Sequence, residues 1–159
     1  MGDDLLEVVR VDPDAPEASA LLQAYLRELS TRLGPGVVAV STRWADDFRG
    51  PGGAVALGWT RGEAVGCAGL RPLGKGTVEL KHLFLAPAVR GRGLGRALLT
   101  GIEGLAHELG ARRIVLDTAS PLTEASALYA SAGYVAIPRY NAESQCSAWF
   151  GKELPGGGD

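Results

Sequence analysis

The chain has 159 residues, of which 46% are hydrophobic and 21% are charged, and this is typical of one soluble domain with a substantial core. Sixteen Lys and Arg residues against 18 Asp and Glu residues give a formal net charge of -2, so no overall basic field points to nucleic acid as a partner. Two cysteines, Cys67 and Cys146, form neither a metal-ligand spacing nor a disulfide framework. The amino terminus lacks the basic start and apolar core of a signal peptide, and no apolar run is long enough to span a bilayer. We therefore expect a cytoplasmic protein with no metal site and no contact with nucleic acid or membrane.

Hydrophobic periodicity and turn residues predict one α/β domain over residues 1–154. A helix-start pattern around Asp14 and Pro16, followed by an amphipathic stripe that stops at Gly34, predicts the first helix. Three β-prone segments then follow in series, separated by short glycine-containing turns. The predicted strands are 5–11, 54–60, 64–71, 77–85, 114–118, 134–137 and 146–154, and the predicted helices are 14–33, 41–48, 97–109 and 120–132. Residues 155–159 are expected to form a flexible tail.

A glycine-rich, cationic segment lies between the predicted strand 77–85 and the helix that follows it. Its sequence is Arg90-Gly91-Arg92-Gly93-Leu94-Gly95-Arg96. At the start of a helix, unpaired backbone N–H groups, the positive end of the helix dipole and arginine side chains can bind one anion together. The spacing fits neither a dinucleotide fingerprint, which needs G-x-G-x-x-G after an early strand, nor a Walker A loop, which ends in Gly-Lys-Ser or Gly-Lys-Thr. The pattern indicates a phosphate-bearing cofactor, and the structural alternative is a surface loop with solvated arginines.

The same segment resembles the acetyl-CoA signature of the GNAT N-acetyltransferase superfamily, which is Arg or Gln, two residues, Gly, one residue, and Gly or Ala. Segments 79–87, 116–118, 128–134 and 137–140 resemble a small-molecule branch of this superfamily in their order and spacing. The resemblance covers residues 54–154 and is faint before them. It implies a single-domain GNAT-like α/β fold, in which about four helices flank a mixed, mostly antiparallel and splayed sheet of about six or seven strands. It is also compatible with a homodimer.

By this resemblance, the ligand of the glycine-rich segment is acetyl-CoA. Backbone N–H groups from Arg92 to Arg96 would bind the pyrophosphate, and Arg90 and Arg96 would add charge-assisted contacts. The resemblance also implies that strand 77–85 splays from its neighbour and pairs with the pantetheine arm. One backbone N–H, that of Leu83 or Phe84, would polarise the thioester carbonyl. The residues expected to bind the coenzyme are Leu83, Phe84, Leu85, Arg90, Gly91, Arg92, Gly93, Leu94, Gly95 and Arg96.

Acetyl transfer to an amine needs a base, because an amine with a pKa near that of lysine is mostly protonated at neutral pH. Glu79 is the first candidate, and the similar branch of the superfamily likewise carries a glutamate at this site. The structural alternative is that Glu79 only pairs with a nearby cation such as Lys81 or Arg71. His82 is the second candidate. In the absence of a bulge, strand alternation predicts two opposite faces, with Glu79, Lys81 and Leu83 on one and Leu80, His82 and Phe84 on the other.

Tyr129 is the candidate acid for the departing thiolate. It lies in the Leu128-Tyr129 pair, where superfamily members place a tyrosine near the coenzyme sulfur, and a phenol can donate the required proton. The structural alternative is that Tyr129 only fills the core. Many superfamily members carry an asparagine seven residues before this tyrosine, whereas this chain has Leu122. The coenzyme contact credited to that asparagine is therefore absent, or is replaced by one from Ser120 or Thr123.

The acceptor is the least constrained part of the prediction. The resemblance places it opposite the coenzyme, between the first helix and the last strands, where the candidate lining residues are Tyr25, Arg27, Arg71, Arg139 and Tyr140. Arg71 and Arg139 could clamp a carboxylate on the acceptor. The predicted function is acetyl-CoA-dependent N-acetylation of a small-molecule primary amine by direct attack, with Glu79 as base and Tyr129 as acid. The alternative is a non-catalytic module that binds an acyl-CoA as a sensor.

Overall fold

The computed structural model describes residues 5–34, 44–118, 123–141 and 146–155. These residues contain seven strands: β1 (Glu7–Val11), β2 (Ala54–Thr60), β3 (Glu63–Gly74), β4 (Thr77–Leu85), β5 (Arg113–Thr118), β6 (Val135–Ala136) and β7 (Ala148–Glu153). They also contain three α-helices, α1 (Pro16–Leu33), α2 (Leu94–Glu108) and α3 (Thr123–Ser131), and two 3₁₀ helices, Trp44–Phe48 and Pro87–Val89. None of these helices is both long enough and apolar enough to cross a membrane.

The predicted fold class is confirmed, with a small difference in the number of helices. A 3₁₀ helix, Trp44–Phe48, stands where a fourth α-helix was expected over 41–48, because a segment of only five helical residues is followed at once by the turn at residues 50–53. The predicted start of the last helix at Ser120, the Leu122 position and residues 156–159 of the predicted tail lie outside the described residues.

The seven strands form one sheet in the order β1-β2-β3-β4-β5-β7-β6. All neighbouring strands are antiparallel except β4 and β5, which are parallel and are connected by α2. Two-residue turns at 61–62 and 75–76 join β2 to β3 and β3 to β4, and all four turn residues have positive φ values. Positive φ at both central residues matches the twist of an antiparallel hairpin, so these turns keep the three strands in series.

Apolar side chains fill two cores, one on each face of the sheet. The larger core lies beneath α2 and α3 and includes Leu98, Ile102 and Ile114, none of which is more than 1% exposed. The smaller core lies beneath α1 and the first 3₁₀ helix and includes Leu57 and Phe84. The sheet therefore separates α1 on one face from α2 and α3 on the other.

Candidate active site

The parallel strands β4 and β5 pair at one end only. Residues 77–79 of β4 pair with residues 113–115 of β5, and the pairing then stops although β4 continues to Leu85 and β5 continues to Thr118. Because the strands are parallel, both of their carboxyl ends lie at the side where they have separated. We call the space between residues 80–85 and residues 116–118 the β4–β5 gap. The splayed sheet predicted from the sequence is thereby confirmed.

A bulge in β4 lies beside this gap. Between β3 and β4 the paired residues step from Gly69 and Lys81 to Cys67 and Phe84, so β4 has one residue more than β3 over this interval. His82 lies within the bulge and has a φ of +59°, which is uncommon for a residue other than glycine. The bulge lets β4 turn away from β5 while it stays paired with β3.

The extra residue reverses the faces of the strand beyond it, so residues 82–84 lie on the faces opposite to those predicted for a strand without a bulge. Leu83 packs on the larger core, on the same side as Leu80, whereas Phe84 lies in the smaller core. The His82 ring lies edge-on to Tyr25 of α1, with 6.1 Å between the ring centroids. The possibility of a bulge was the one condition on the predicted alternation, and the bulge is present.

The glycine-rich segment leads from β4 into α2. Gly91 and Gly93 have φ values of +83° and +77°, and apart from their chain neighbours no described residue comes within 4 Å of the position of a Cβ atom at either of them. Gly93 is the N-cap residue of α2, and no side chain caps this helix end. Helix geometry leaves the N–H groups of residues 94–96 without intrahelical partners. Since α2 follows the carboxyl end of β4, its positive end lies on the open side of the β4–β5 gap.

Arg90 joins the glycine-rich segment to α1 and β4. Its Nη2 lies 2.9 Å from Oε1 and 3.0 Å from Oε2 of Glu28, a residue of α1. Its Nε donates a hydrogen bond of 2.8 Å to the carbonyl oxygen of Leu85, and its guanidinium lies 5.6 Å from the ring centroid of Phe84. Arg90 therefore fixes the position of the glycine-rich segment relative to α1 and β4.

The carboxylate of Glu79 lies at the closed end of the gap, and its side chain is 0% exposed. Nη2 of Arg71 donates to its Oε1 at 2.7 Å, and the hydroxyl of Tyr140 donates to its Oε2 at 2.6 Å. Nζ of Lys81 lies 3.8 Å from Oε1. Burial first, and then the hydrogen bond to Glu79, raises the pKa of Tyr140 above its usual value. Three predicted site residues therefore meet here, and the cation pairing of the structural alternative is present as well.

A second polar cluster lies on β5 and β7. Asp117 stands two residues beyond Val115, the β5 residue that pairs with Glu79. Oδ2 of Asp117 accepts a 2.6 Å hydrogen bond from Nδ2 of Asn141, and Oδ1 of Asn141 accepts one of 2.7 Å from Nε1 of Trp149. The cluster thus fixes the Asn141 amide from both of its ends.

Two adjacent residues bridge the two strands that flank the gap. Tyr140 binds the carboxylate of Glu79 on β4, and Asn141 binds the carboxylate of Asp117 on β5. We call residues 140–141 the clip. Because its two side chains are anchored on different strands, the clip covers the closed end of the gap and orients the Tyr140 hydroxyl.

Tyr129 belongs to α3 and is buried, with 7% of its surface exposed. Its ring packs edge-on against Tyr134, with 5.7 Å between the ring centroids, and at a tilt against Phe150, with 6.2 Å between the centroids. Its hydroxyl makes no hydrogen bond with another residue of the described segments. Burial raises the pKa of Tyr129 above its usual value, and the charges of Tyr25 and Asp117 raise it further. Tyr25 packs on the smaller core, on the opposite face of the sheet.

Known proteins resemble this chain in both sequence and structure. Residues 18–134 match the acetyltransferase (GNAT) family. An uncharacterized N-acetyltransferase of Schizosaccharomyces pombe is 31% identical over 140 residues, which make up 85% of this chain and 85% of that protein. The chain belongs to the GNAT family. A second relative, the uncharacterized N-acetyltransferase YjgM of Escherichia coli K12, is 37% identical over 87 residues, which make up 53% of this chain and 52% of that protein.

Solved GNAT structures share the fold of this chain. An acetyltransferase of Staphylococcus aureus Mu50 superimposes with a TM-score of 0.79 at 17% identity, over 94% of this chain and 99% of that one. An acyl-CoA N-acyltransferase of Klebsiella pneumoniae superimposes with a TM-score of 0.75 at 23% identity, over 94% and 98%. A GNAT acetyltransferase of Elizabethkingia anophelis with acetyl-CoA bound gives 0.69 at 19% identity, over 94% and 98%. At these identities the likeness shows the GNAT fold.

The structure brings together only some of the residues expected to serve a GNAT reaction. Of the candidates for lining the acceptor, Arg71 and Tyr140 bind Glu79. Arg139 lies over the ring of Trp149 and donates a hydrogen bond to the backbone carbonyl of Asn141. Tyr25 packs on Phe84, and Arg27 is exposed on α1. Among the coenzyme candidates, Leu94 is the buried first residue of α2, whereas Arg92 and Arg96 are exposed.

Sequence reasoning assigned no role to Asp117, Asn141 and Trp149. A signal was available for Asp117, because it directly follows the apolar run of β5, and β5 is parallel to β4. Ligands often bind at the carboxyl ends of parallel strands. No local signal marked Asn141 or Trp149. Their contact depends on the pairing of β5 with β7, in which Asp117 stands opposite Trp149.

Proposed function

We propose that this GNAT protein transfers the acetyl group of acetyl-CoA to a primary amine of a small molecule by direct attack on the thioester. The observation that carries the proposal is the β4–β5 gap, which opens on the side where the uncapped start of α2 lies. The Elizabethkingia anophelis protein, which has the same fold, holds acetyl-CoA. Bound acetyl-CoA supplies an activated acetyl group and a thiol as leaving group.

The residues around the open end of the gap fit this coenzyme. The free N–H groups of residues 94–96 and the helix dipole favour the pyrophosphate, and the space beside Gly91 and Gly93 lets phosphate oxygens come close to the backbone. Residues 83–85 of β4, which no longer pair with β5, offer backbone groups to an extended pantetheine arm. The Arg90 guanidinium is shared with Glu28, so Arg96 carries the more available charge.

In this proposal Glu79 is the base and Tyr129 is the acid. Glu79 lies where the pairing of β4 with β5 ends, next to the point that a thioester at the tip of the pantetheine arm would reach. A phenol is protonated at neutral pH, so the hydroxyl of Tyr129 holds a proton for the leaving thiolate. A backbone N–H of Leu83 or Phe84, beside the bulge, polarises the carbonyl.

The charge around Glu79 favours an acceptor that carries a carboxylate as well as an amine. Arg71 and Lys81 place two cations beside this one buried carboxylate, and their side chains are 38% and 29% exposed. The cluster therefore presents positive charge to solvent, and a guanidinium fork suits a planar carboxylate. Amino-acid-like amines are the acceptor class that we propose.

The test is release of free thiol from acetyl-CoA with phenethylamine, putrescine, L-lysine and L-glutamate as acceptors. These four amines differ in charge, and we expect the fastest saturable turnover with one of the two amino acids. Equal rates with phenethylamine and L-glutamate would contradict the proposed role of the Arg71 and Lys81 charge. No turnover with any of the four would contradict the proposed activity on simple amines.

Calorimetry with acetyl-CoA separates binding from catalysis. Gly93→Glu places a carboxylate and a strained side chain at the proposed anion site, and we expect it to weaken coenzyme binding more than about 10-fold. Gly104→Glu is the matched control, because it adds the same charge to the same helix at an exposed position with open space. Wild-type binding without thiol release would favour the acyl-CoA sensor, and absence of wild-type binding would exclude both functions.

A further inference from the structure

We infer that the hydroxyl of Tyr140 relays the proton of the acceptor amine to Glu79. The inference rests on the proposed function and deepens it by stating how the base is reached. It starts from the burial of Glu79, whose side chain is 0% exposed. Neither an acceptor nor bulk water can touch this carboxylate directly, so a proton must reach it through a group that already contacts it.

Of the described side chains that contact the carboxylate, one can pass on a proton. Arg71, Lys81 and Tyr140 are these contacts among the described residues. Charged guanidinium and ammonium groups offer N–H donors and no acceptor, so neither cation can take up a proton from the amine. A phenol hydroxyl donates one hydrogen bond and accepts others. Tyr140 is also partly exposed, whereas Glu79 is not exposed at all.

The relay balances in atoms and charge. The N–H bond of the ammonium breaks and its electron pair stays on nitrogen, which becomes the nucleophile. The proton bonds to Oη of Tyr140, while the original hydroxyl proton of Tyr140 moves across the 2.6 Å hydrogen bond to Oε2 of Glu79. Tyr140 is neutral before and after, and Glu79 becomes a neutral carboxylic acid that returns the proton to solvent by the reverse route.

The surroundings of Tyr140 suit this role. A phenol is protonated at neutral pH, so the proton to be passed on across the hydrogen bond to Glu79 is present before the amine binds. The clip fixes its position, because the adjacent Asn141 is bound to Asp117 and to Trp149. Asn141 is accordingly a positioning residue for Tyr140 and has no chemical step of its own.

The test combines Tyr140→Phe, Glu79→Gln and the double variant in the thiol-release assay, with whichever of the four amines the wild type acetylates fastest. We expect each single variant to lower kcat about 100-fold, a typical loss for a proton-transfer residue, while KM for acetyl-CoA changes less than about twofold. Residues of one relay act as a unit, so the double variant should lie within about threefold of Glu79→Gln. Independent roles would instead give a loss of about 10⁴-fold in the double variant.

Tyr134→Phe is the matched control. Tyr134 is also a buried phenol that donates to a carboxylate, at 2.9 Å from Oε2 of Glu103, but it lies in the larger core. It loses the same kind of hydrogen bond as Tyr140→Phe, and its kcat should stay within about twofold of the wild type. A comparable loss in both variants would mean that the effect is structural.

A proton inventory tests the wild type without any substitution. Plotted against the deuterium fraction of the solvent, kcat should follow a curve, because two protons move together in the relay, and Tyr140→Phe should give a straight line. A straight line for the wild type, or an unchanged kcat in Tyr140→Phe, overturns the relay while leaving the acetyltransferase proposal intact. An inactive wild type overturns the acetyltransferase proposal and the relay with it.

Discussion

Glu79 and Tyr129 are both buried, but their polar atoms differ in the hydrogen bonds that they make. Each carboxylate oxygen of Glu79 accepts a hydrogen bond, one from Arg71 and one from Tyr140. The Tyr129 hydroxyl makes none with a described residue, and only its ring packs against neighbours. Leaving a buried polar group without its partner costs about 1–3 kcal/mol. Substitution of Glu79 should therefore change stability and activity together, whereas substitution of Tyr129 can separate them.

Tyr129→Phe should lower kcat about 100-fold, because it removes the proposed proton donor for the thiolate. KM for acetyl-CoA should stay within about twofold, and the free energy of unfolding should change by less than about 0.5 kcal/mol, because the ring packing is retained. Steady-state kinetics and urea denaturation of the same preparation measure both effects. If kcat is unchanged, Tyr129 is a core residue only.

At the level of elements, the β4 bulge directs the side chain of His82 toward aromatic residues of the smaller core. The ring of His82 lies 5.9–6.4 Å from the rings of Phe48, Tyr25 and Trp44. Burial, and to a smaller extent the charge of Lys81, lowers the pKa of His82 to about 4. The imidazole is neutral at neutral pH and a weak base, which favours Glu79 over His82 as the catalytic base.

His82→Asn should flatten the pH dependence of stability. A histidine in the unfolded chain titrates near 6.5, so the folded state binds this proton less readily, and the stability present above pH 6.5 is lost as the pH falls toward 4. Asparagine does not titrate and tolerates the positive φ at this position. Between pH 7 and pH 4 the wild type should lose about 3 kcal/mol more free energy of unfolding than the variant. Urea denaturation at each pH measures the difference, and parallel curves would contradict it.

The helix that carries the proposed anion site contains two interior glycines with different roles. A Cβ atom at Gly101 would overlap the side chain of Val8 in β1, whereas a Cβ atom at Gly104 would meet nothing within 4 Å. Gly101 thus allows α2 to lie close against β1, and Gly104 only weakens the helix.

The two glycines predict opposite effects of one substitution. Gly104→Ala should raise the free energy of unfolding by about 0.5–1 kcal/mol, because alanine loses less backbone entropy in a helix. Gly101→Ala should lower it by about 1–3 kcal/mol through overpacking against Val8. Thermal and urea denaturation measure both variants, and a stabilising Gly101→Ala would mean that β1 can move away from α2 at little cost.

On the scale of the whole molecule, the two cores pack on opposite faces of one sheet. Loss of packing in either core would therefore expose one face of the sheet that supports the other core. We expect one cooperative unfolding transition. Tryptophan fluorescence reports on the smaller core through Trp44 and Trp59 and on β7 through Trp149, and far-ultraviolet circular dichroism reports on the whole chain. Both should give the same midpoint, and acetyl-CoA at about 100 times its Kd should add about 2.7 kcal/mol. Two separate midpoints would contradict the single domain expected from the sequence.

Local signals predicted most of the elements, and long-range contacts account for what they missed. The bounds of β2 and β4 agree with the prediction because the turns at 61–62 and 75–76 mark the strand ends. No glycine marks the bulge in β4, because the positive φ falls on His82. The full burial of Glu79 was not predicted either, because charged strand residues usually face solvent, and part of its cover comes from Tyr140, 61 residues away along the chain.

The β4–β5 gap also gives the free protein an exposed strand edge within its own sheet. Residues 80–85 of β4 have no strand partner on the β5 side among the described residues. Unpaired strand edges attract other extended chains and promote aggregation. A stretched peptide would compete for the same backbone groups as the pantetheine arm, whereas a bound coenzyme would cover them. The concentration of acetyl-CoA would then set the rate of the reaction. It would also set the fraction of molecules whose unpaired β4 edge is covered and protected from self-association.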